Sequence, residues 1–207
     1  MKIVLLRHAE TDWNNAKKFL SRTDLPLNAT GRQQAQGVRL DGLAFEPSVV
    51  ASSPSIRAVE TAELARSSNS LKHVPLELFA DLREMDFGQF EGGTPTELRQ
   101  SVELATAFKS WSTDKPNAMA PPGGESWDSA FARAESFLAQ LVMGGKDALV
   151  VSHGYLLRLV MVVALGGSHP SSMRRFAIGN ACYAVLELQD AGYWRLTRSN
   201  VCSKGGS

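Results

Sequence analysis

Four short apolar runs, each cut off by polar residues, set the rhythm of the chain. The first covers residues 3–6 and stops at Arg7-His8. The second, residues 47–52, is closed by Ser53 and Pro54, and a third lies around residues 74–78. The fourth, residues 147–152, is purely apolar across 148–151 and runs straight into His153-Gly154. Runs of this length between turn residues read as buried strands. The segments between them carry helical spacing. Asn28 is placed to cap a helix over residues 31–43, and Ser53 to cap the next, with Pro54 at its first position. That second helix would hold Arg57, Ala58, Glu60, Thr61 and Leu64. Ser126 opens a longer one whose Trp127, Phe131, Ala134, Leu138 and Leu141 alternate at spacings of four and three, making one apolar face. An apolar helix follows over residues 155–165.

Residues 80–122 break the rhythm. They contain one predicted helix over 97–111, then a stretch rich in Pro, Asn and Gly that ends Pro121-Pro122-Gly123-Gly124. A long irregular insertion of this kind either shapes a binding site or moves. Residues 183–188 and 193–198 read as a hairpin around Asp190-Ala191-Gly192, and residues 203–207 as a disordered tail. There is no internal repeat and no domain boundary. The expectation is an α/β fold: a three-layer sandwich, its mostly parallel sheet covered by helices on both faces, forming a single domain over 1–202.

Composition removes several classes of function. Lys and Arg number 22 against 21 Asp and Glu, and no basic run stands out, so neither nucleic acid nor an anionic membrane is indicated as a partner. The N-terminal apolar run is too short for a signal peptide, and the 156–165 stretch, interrupted by Arg158, falls short of the roughly 20 residues of a membrane span. Cys182 and Cys202 belong to no CxxC or Cys/His cluster, which argues against zinc. Two such thiols point to a reducing compartment and favour free thiols over a disulfide, so a soluble cytoplasmic protein is expected.

The candidate chemistry lies where strands end. Open α/β sheets place their ligands at the carboxyl edge of the strands. Arg7-His8, Ser52-Ser53 with Arg57 one turn on, and Ser152-His153 would all arrive there. Two arginines beside two helix N-termini make an anion site suited to a phosphoryl group. One imidazole can attack phosphorus and the other can stabilise charge, while a carboxylic acid is needed to protonate the leaving oxygen. Singly, each residue has an ordinary explanation, as a surface turn, a capping histidine or a solvated helix arginine. It is their combination that carries weight. His73 and His169 have no such partners. Phe108 and Trp111, three apart, read as a packed helix face, and Trp13 as packing that orients the first loop.

The segment Leu6-Arg7-His8-Ala9-Glu10-Thr11-Asp12-Trp13-Asn14 resembles the Arg-His-Gly signature of the histidine phosphatase superfamily, in its phosphoglycerate mutase-like branch. The resemblance spans nearly the whole chain. It continues through Asp24-Leu25-Pro26-Leu27 with Gly31 and Gln34-Ala35, then Ser52-Ser53-Pro54-Ser55-Ile56-Arg57-Ala58-Val59-Glu60-Thr61-Ala62. Further on come Leu82-Arg83-Glu84-Met85-Asp86-Phe87-Gly88, Pro122-Gly123-Gly124-Glu125-Ser126 and Val150-Val151-Ser152-His153-Gly154. Six matches in the family's order are specific. They imply a phosphoglycerate mutase-like fold with His8 as the nucleophile that becomes phosphohistidine. Arg7, Arg57 and His153 would hold the phosphoryl oxygens, Asn14 and the backbone at Gly154 would complete the pocket, and Glu84 would act as proton donor and then base. The resemblance implies no metal or other cofactor, a small phosphate ester as substrate, and either a monomer or a homodimer. Residues 87–126 would form the insertion that caps the substrate.

Three departures from the family pattern bear on function. Ala9 replaces the signature glycine, and Ser21 stands where glycine is usual near the pocket mouth. The paired arginines with which the mutases hold a carboxylate have no match, that region reading Phe108-Lys109-Ser110-Trp111-Ser112-Thr113-Asp114-Lys115-Pro116. Without that clamp a phosphorylated intermediate releases its alcohol and water takes the phosphoryl group, which favours a phosphatase. The rival expectations are a mutase or other phosphotransferase, and a scaffold that binds phosphate without catalysis. The ester itself stays open among a cobalamin-precursor nucleotide, a sugar phosphate, a phosphoglycerate derivative and a protein phosphohistidine.

Overall fold

The computed structural model describes residues 1–112, 120–168 and 170–202. Its strands are β1 (Lys2–Arg7), β2 (Val49–Ser52), β3 (Leu76–Leu78), β4 (Ala148–Ser152), β5 (Cys182–Leu188) and β6 (Trp194–Cys202). They form one sheet in the order β3-β2-β4-β1-β5-β6. The first four are mutually parallel where they pair, while β5 runs antiparallel to β1 and β6 antiparallel to β5. β1 and β4 therefore lie side by side at the centre, in a register that sets Arg7 opposite Ser152.

Period-two alternation divides the strand residues between two cores. Ile3, Leu5, Ala51, Ala148 and Val150 point to one face. There they meet the helices α4 (Pro95–Gln100), α5 (Ala105–Trp111), α6 (Trp127–Gly144) and α7 (Gly154–Ala164). Val4, Leu6, Val50, Leu149 and Val151 point to the other, against α2 (Ala29–Gly37) and α3 (Ile56–Ser68). A short α1 (Asp12–Asn15) follows the first strand. The expected layers are present, with β4 buried along its whole length.

Several boundaries differ from expectation, for local reasons. Asn28 does cap α2, its side chain accepting from the Gly31 N–H, but the helix ends at Gly37 rather than near residue 43. There the Asn69 side chain takes over, donating to the Val38 carbonyl and accepting from the Leu40 N–H. Ser53 and Pro54 precede α3, whose N-cap is Ser55. The single helix expected over 97–111 is two. Ser101 interrupts it, its hydroxyl accepting from the Leu104 N–H in place of a helical carbonyl. Ser126 caps α6 as expected.

The cysteines are the clear correction. Cys182 and Cys202 are joined, not free, with Cα atoms 4.2 Å apart. The β5–β6 register sets them directly opposite, a pairing hidden by their separation of 20 residues. The thiol argument for a reducing compartment falls with it. Among the described residues, no helix is long and apolar enough to cross a membrane. The expected tail at 203–207, His169 and the 113–116 part of the segment opposed to the mutase clamp lie outside the described residues.

Candidate active site

The carboxyl ends of β1, β2 and β4 converge as the sequence indicated. Ser53 N donates to the Val151 carbonyl and His8 N to the Ser152 carbonyl, so the three strand ends are bonded together just where polar residues begin. His8 is 3% exposed, and Arg57 and His153 are fully buried. Burying groups that could carry charge is costly unless each has partners, and here the partners leave particular atoms unused.

His8 Nδ1 lies 2.7 Å from the Ala9 carbonyl oxygen. A carbonyl can only accept, so Nδ1 carries the proton and Nε2 keeps its lone pair. Burial, with Arg57 and Arg7 close by, holds this imidazole well below its ordinary pKa, against the smaller pull of the Ala9 carbonyl. The ring is neutral and its outward nitrogen is nucleophilic. His153 lies with its ring centre 5.1 Å away. Its Nε2 is 2.8 Å from Ser53 Oγ, and its Nδ1 is buried without a partner. Burial depresses its pKa too, aided by Arg57, His8 and Arg7.

The two arginines are positioned by backbone carbonyls. Arg7 Nη1 donates to the Ile178 carbonyl at 3.0 Å. Arg57 donates from Nη2 to the Ser21 carbonyl at 2.9 Å and from Nη1 to that of Thr23 at 3.1 Å. In both, Nε is buried and unpartnered. Three unused nitrogens, Arg7 Nε, Arg57 Nε and His153 Nδ1, thus belong to one small region. The two arginine Nε–H groups call for an acceptor. Gly154 makes room for Arg7, since a Cβ there would sit 3.3 Å from Arg7 Nε.

Asn14 and Glu84 complete the set expected from sequence. Asn14 Oδ1 accepts from Thr11 N, Thr11 Oγ1 and Asn180 Nδ2, which directs its own NH₂ away from them. Glu84 is 6% exposed and rests on the start of α7. Its Oε1 accepts from Met85 N and Leu156 N, and its Oε2 from Tyr155 N. Arg7, His8, Asn14, Glu84 and Gly154 all line one cavity of about 460 Å³. Its outer part is formed by Lys17, Lys18, Phe19, Phe87, Tyr155 and Arg158.

Two of the departures have simple explanations. Ala9 is buried at a backbone angle that any residue adopts, and its N–H donates to Thr61 Oγ1. The Ser21 hydroxyl is bound to Glu91, leaving its carbonyl for Arg57. Trp111 stacks on Trp127 at 5.6 Å and meets Phe19, Phe87 and Phe90 edge-on, so packing is its role, as expected. Trp13 packs over Gly92 with Lys18 above its ring.

The profile of the histidine phosphatase superfamily (branch 1) matches residues 3–201. The chain belongs to that superfamily. Among its relatives in the superfamily is the uncharacterized phosphatase PhoE of Bacillus subtilis, 30% identical over 203 residues, which cover 97% of this chain and 95% of that one. The adenosylcobalamin/alpha-ribazole phosphatase of Escherichia coli is 31% identical over 192 residues, 91% of this chain and 90% of its own. In three dimensions the alpha-ribazole phosphatase of Shigella flexneri superposes with a TM-score of 0.82 at 29% identity, covering 97% of this chain and 96% of that one.

Some residues that hold this superfamily site together were not found from sequence. Asn180 donates to the His8 carbonyl as well as to Asn14. It precedes β5, whose antiparallel pairing with β1 brings its start beside the end of β1. Arg133 of α6 fixes the Glu84 loop, donating to the carbonyls of Asp81 and Arg83 while paired with Glu125 at 2.8 Å. Its only sequence signal is a charge on an otherwise amphipathic helix.

Proposed function

We propose that the protein is a phosphomonoesterase that works through a phosphohistidine on His8. The observation that carries this is the His8 Nδ1–Ala9 carbonyl bond, which leaves Nε2 unprotonated in a site with two unused arginine N–H donors and an unpartnered His153 Nδ1. In the first step Nε2 bonds to phosphorus and the P–O bond to the alcohol breaks. Glu84, at the cavity wall, gives its proton to the departing oxygen. In the second, Glu84 takes a proton from water, whose oxygen bonds to phosphorus as the P–N bond breaks. Arg7, Arg57 and His153 bind the equatorial oxygens through both steps, and Asn14 and the backbone at Gly154 close the pocket.

Hydrolysis is favoured over transfer because Phe108 and Trp111, in the segment where mutases carry their arginine clamp, are 3% exposed and packed inward. A scaffold that only binds phosphate has no use for a carboxyl group anchored at Glu84. The described parts of 87–126 cap the substrate in this reading, and Lys17, Lys18 and Arg158 of the cavity lining favour alcohols that bear further negative charge. The direct test is turnover of an aryl phosphate in the presence of chelator, together with acid trapping of labelled enzyme. His8→Ala should lose at least about 10³-fold in kcat/KM and all of the acid-labile label. Undiminished turnover would overturn the proposal.

A further inference from the structure

We propose that Ser53 is a positioning residue that holds neutral His153 with its proton on Nδ1, so that this ring offers an N–H to the phosphoryl group. The two imidazoles would then be the same tautomer presented by opposite edges: His8 shows its Nε2 lone pair, His153 its Nδ1–H. For turnover the inference rests on the phosphatase reading. The tautomer itself is a property of the resting protein.

Ser53 Oγ is placed to donate to His153 Nε2. Ser55 N donates to Ser53 Oγ at 3.4 Å, occupying one lone pair. The hydroxyl proton then has two outlets, Ser55 Oγ at 3.4 Å and His153 Nε2 at 2.8 Å. Donation to Nε2 gives the hydroxyl proton a normal hydrogen bond, whereas Ser55 Oγ offers it only a marginal one. Nε2 becomes the acceptor, and the ring proton must sit on Nδ1.

The opposite arrangement fails on the other side of the ring. With the proton on Nε2, Nδ1 would be a buried lone pair without a donor, and a phosphoryl oxygen bound there would meet that lone pair instead of an N–H. Nor can the ring become a donor by charging. The groups that act on it are Arg57, His8, Arg7 and Arg133, none of them anionic, and burial adds to their opposition. A neutral ring needs a partner at Nε2 that can donate. A carbonyl, the partner that His8 has, would force the proton onto the wrong nitrogen. A hydroxyl supplies the donor, and the β2–β4 ladder, which ends with Ser52 opposite Val151, brings residues 53 and 153 to the same sheet edge.

Long-range ¹H–¹⁵N correlation of the four ¹⁵N-labelled histidines would read the tautomer directly, with His8→Gln and His153→Gln used for assignment. The expected result is a protonated Nδ1 and bare Nε2 at His153 in the wild type and in Ser53→Thr. In Ser53→Ala the Nε2–H form should gain population. The same alanine variant should bind inorganic phosphate about tenfold more weakly, with threonine restoring it. A wild-type His153 protonated on Nε2, or an alanine variant with the wild-type ring pattern, overturns the proposal even if esters are hydrolysed. The expected ring pattern without any ester hydrolysis overturns the phosphatase reading and leaves the tautomer standing. Should the alanine variant fail to fold, the wild-type and threonine spectra still decide.

Discussion

The strand-end set and the cluster of aromatic rings near it are held by different forces. Arg7, His8, Arg57 and His153 sit at the carboxyl edge of the sheet, where strand register fixes their backbone and single hydrogen bonds fix their side chains. The cluster consists of Phe19, Phe87, Phe90, Phe108, Trp111, Trp127 and Tyr155, in edge-on, tilted and stacked contacts. Apolar packing is additive and tolerant of shape, and a hydrogen-bonded charge site is neither. Damage to the first region should therefore stop chemistry while the fold survives. Damage to the second should loosen the fold while phosphoryl transfer survives.

Glu84 gives the largest separation between the two. Glu84→Gln keeps the size of the side chain and one acceptor but removes the proton it would deliver. For alkyl phosphates kcat/KM should fall by roughly 10²–10⁴-fold, the usual contribution of general acid catalysis. For 4-nitrophenyl phosphate, whose leaving group needs little help, the loss should be much smaller. Equal losses on both would remove Glu84 from the role of acid. Thermal unfolding should shift little beside the loss on alkyl esters. Trp111→Ala is the complementary change. Deleting a buried indole costs about 3–5 kcal/mol, on the order of 10 °C in Tm for a chain of this size. Inhibition by inorganic phosphate, read at a temperature where the variant is folded, should stay near the wild-type constant. If phosphate affinity collapsed along with Tm, the two regions would not be separable in this way.

The same division governs what could be read from the sequence. The strand ends were legible because a buried strand is a short continuous apolar run, and the residue at which it stops is unambiguous: Arg7, Ser52 and Ser152 close β1, β2 and β4. Glu84 was legible only through the family resemblance, since nothing in an irregular loop singles out one carboxylate. Ser53 was misread as a helix cap, because capping is a local rule and its actual partner is 100 residues away. The split between α4 and α5 was missed for the converse reason, a local serine bond overriding a helical pattern. The Cys182–Cys202 bond was missed because it depends on how far the β5–β6 ladder runs and on its irregular register, and Asn180 because it depends on which strand lies next to β1. Chain order says little about that for the closing antiparallel pair.

The smallest expected effect is on the pH dependence of stability, and it separates the two regions by sign. Burial first, and then the nearby arginines, hold both site histidines well below the ordinary value of 6.5. Below pH 6.5 the unfolded chain takes up protons at these residues that the folded protein refuses. Stability is therefore fully present above that pH and lost as pH falls toward the folded values, by about 1.4 kcal/mol per pH unit for each histidine. Glu91 does not confuse this window. Burial pushes its carboxyl up, but the N–H groups of Thr23 and Ser21 and the Ser21 hydroxyl outweigh that and hold it below the ordinary carboxylate range. Its contribution is lost only at more acid pH. Urea unfolding between pH 7.5 and 5.5 should show the decline in the wild type. His153→Gln, with one titrating ring fewer, should flatten the slope. Trp111→Ala, which removes apolar contact and no titrating group, should lower stability by the same amount at every pH. A His153→Gln curve parallel to the wild type would mean that His153 takes up its proton as readily in the fold as in the unfolded chain, and both the neutral ring at acid pH and the division between charge site and ring cluster would have to be given up.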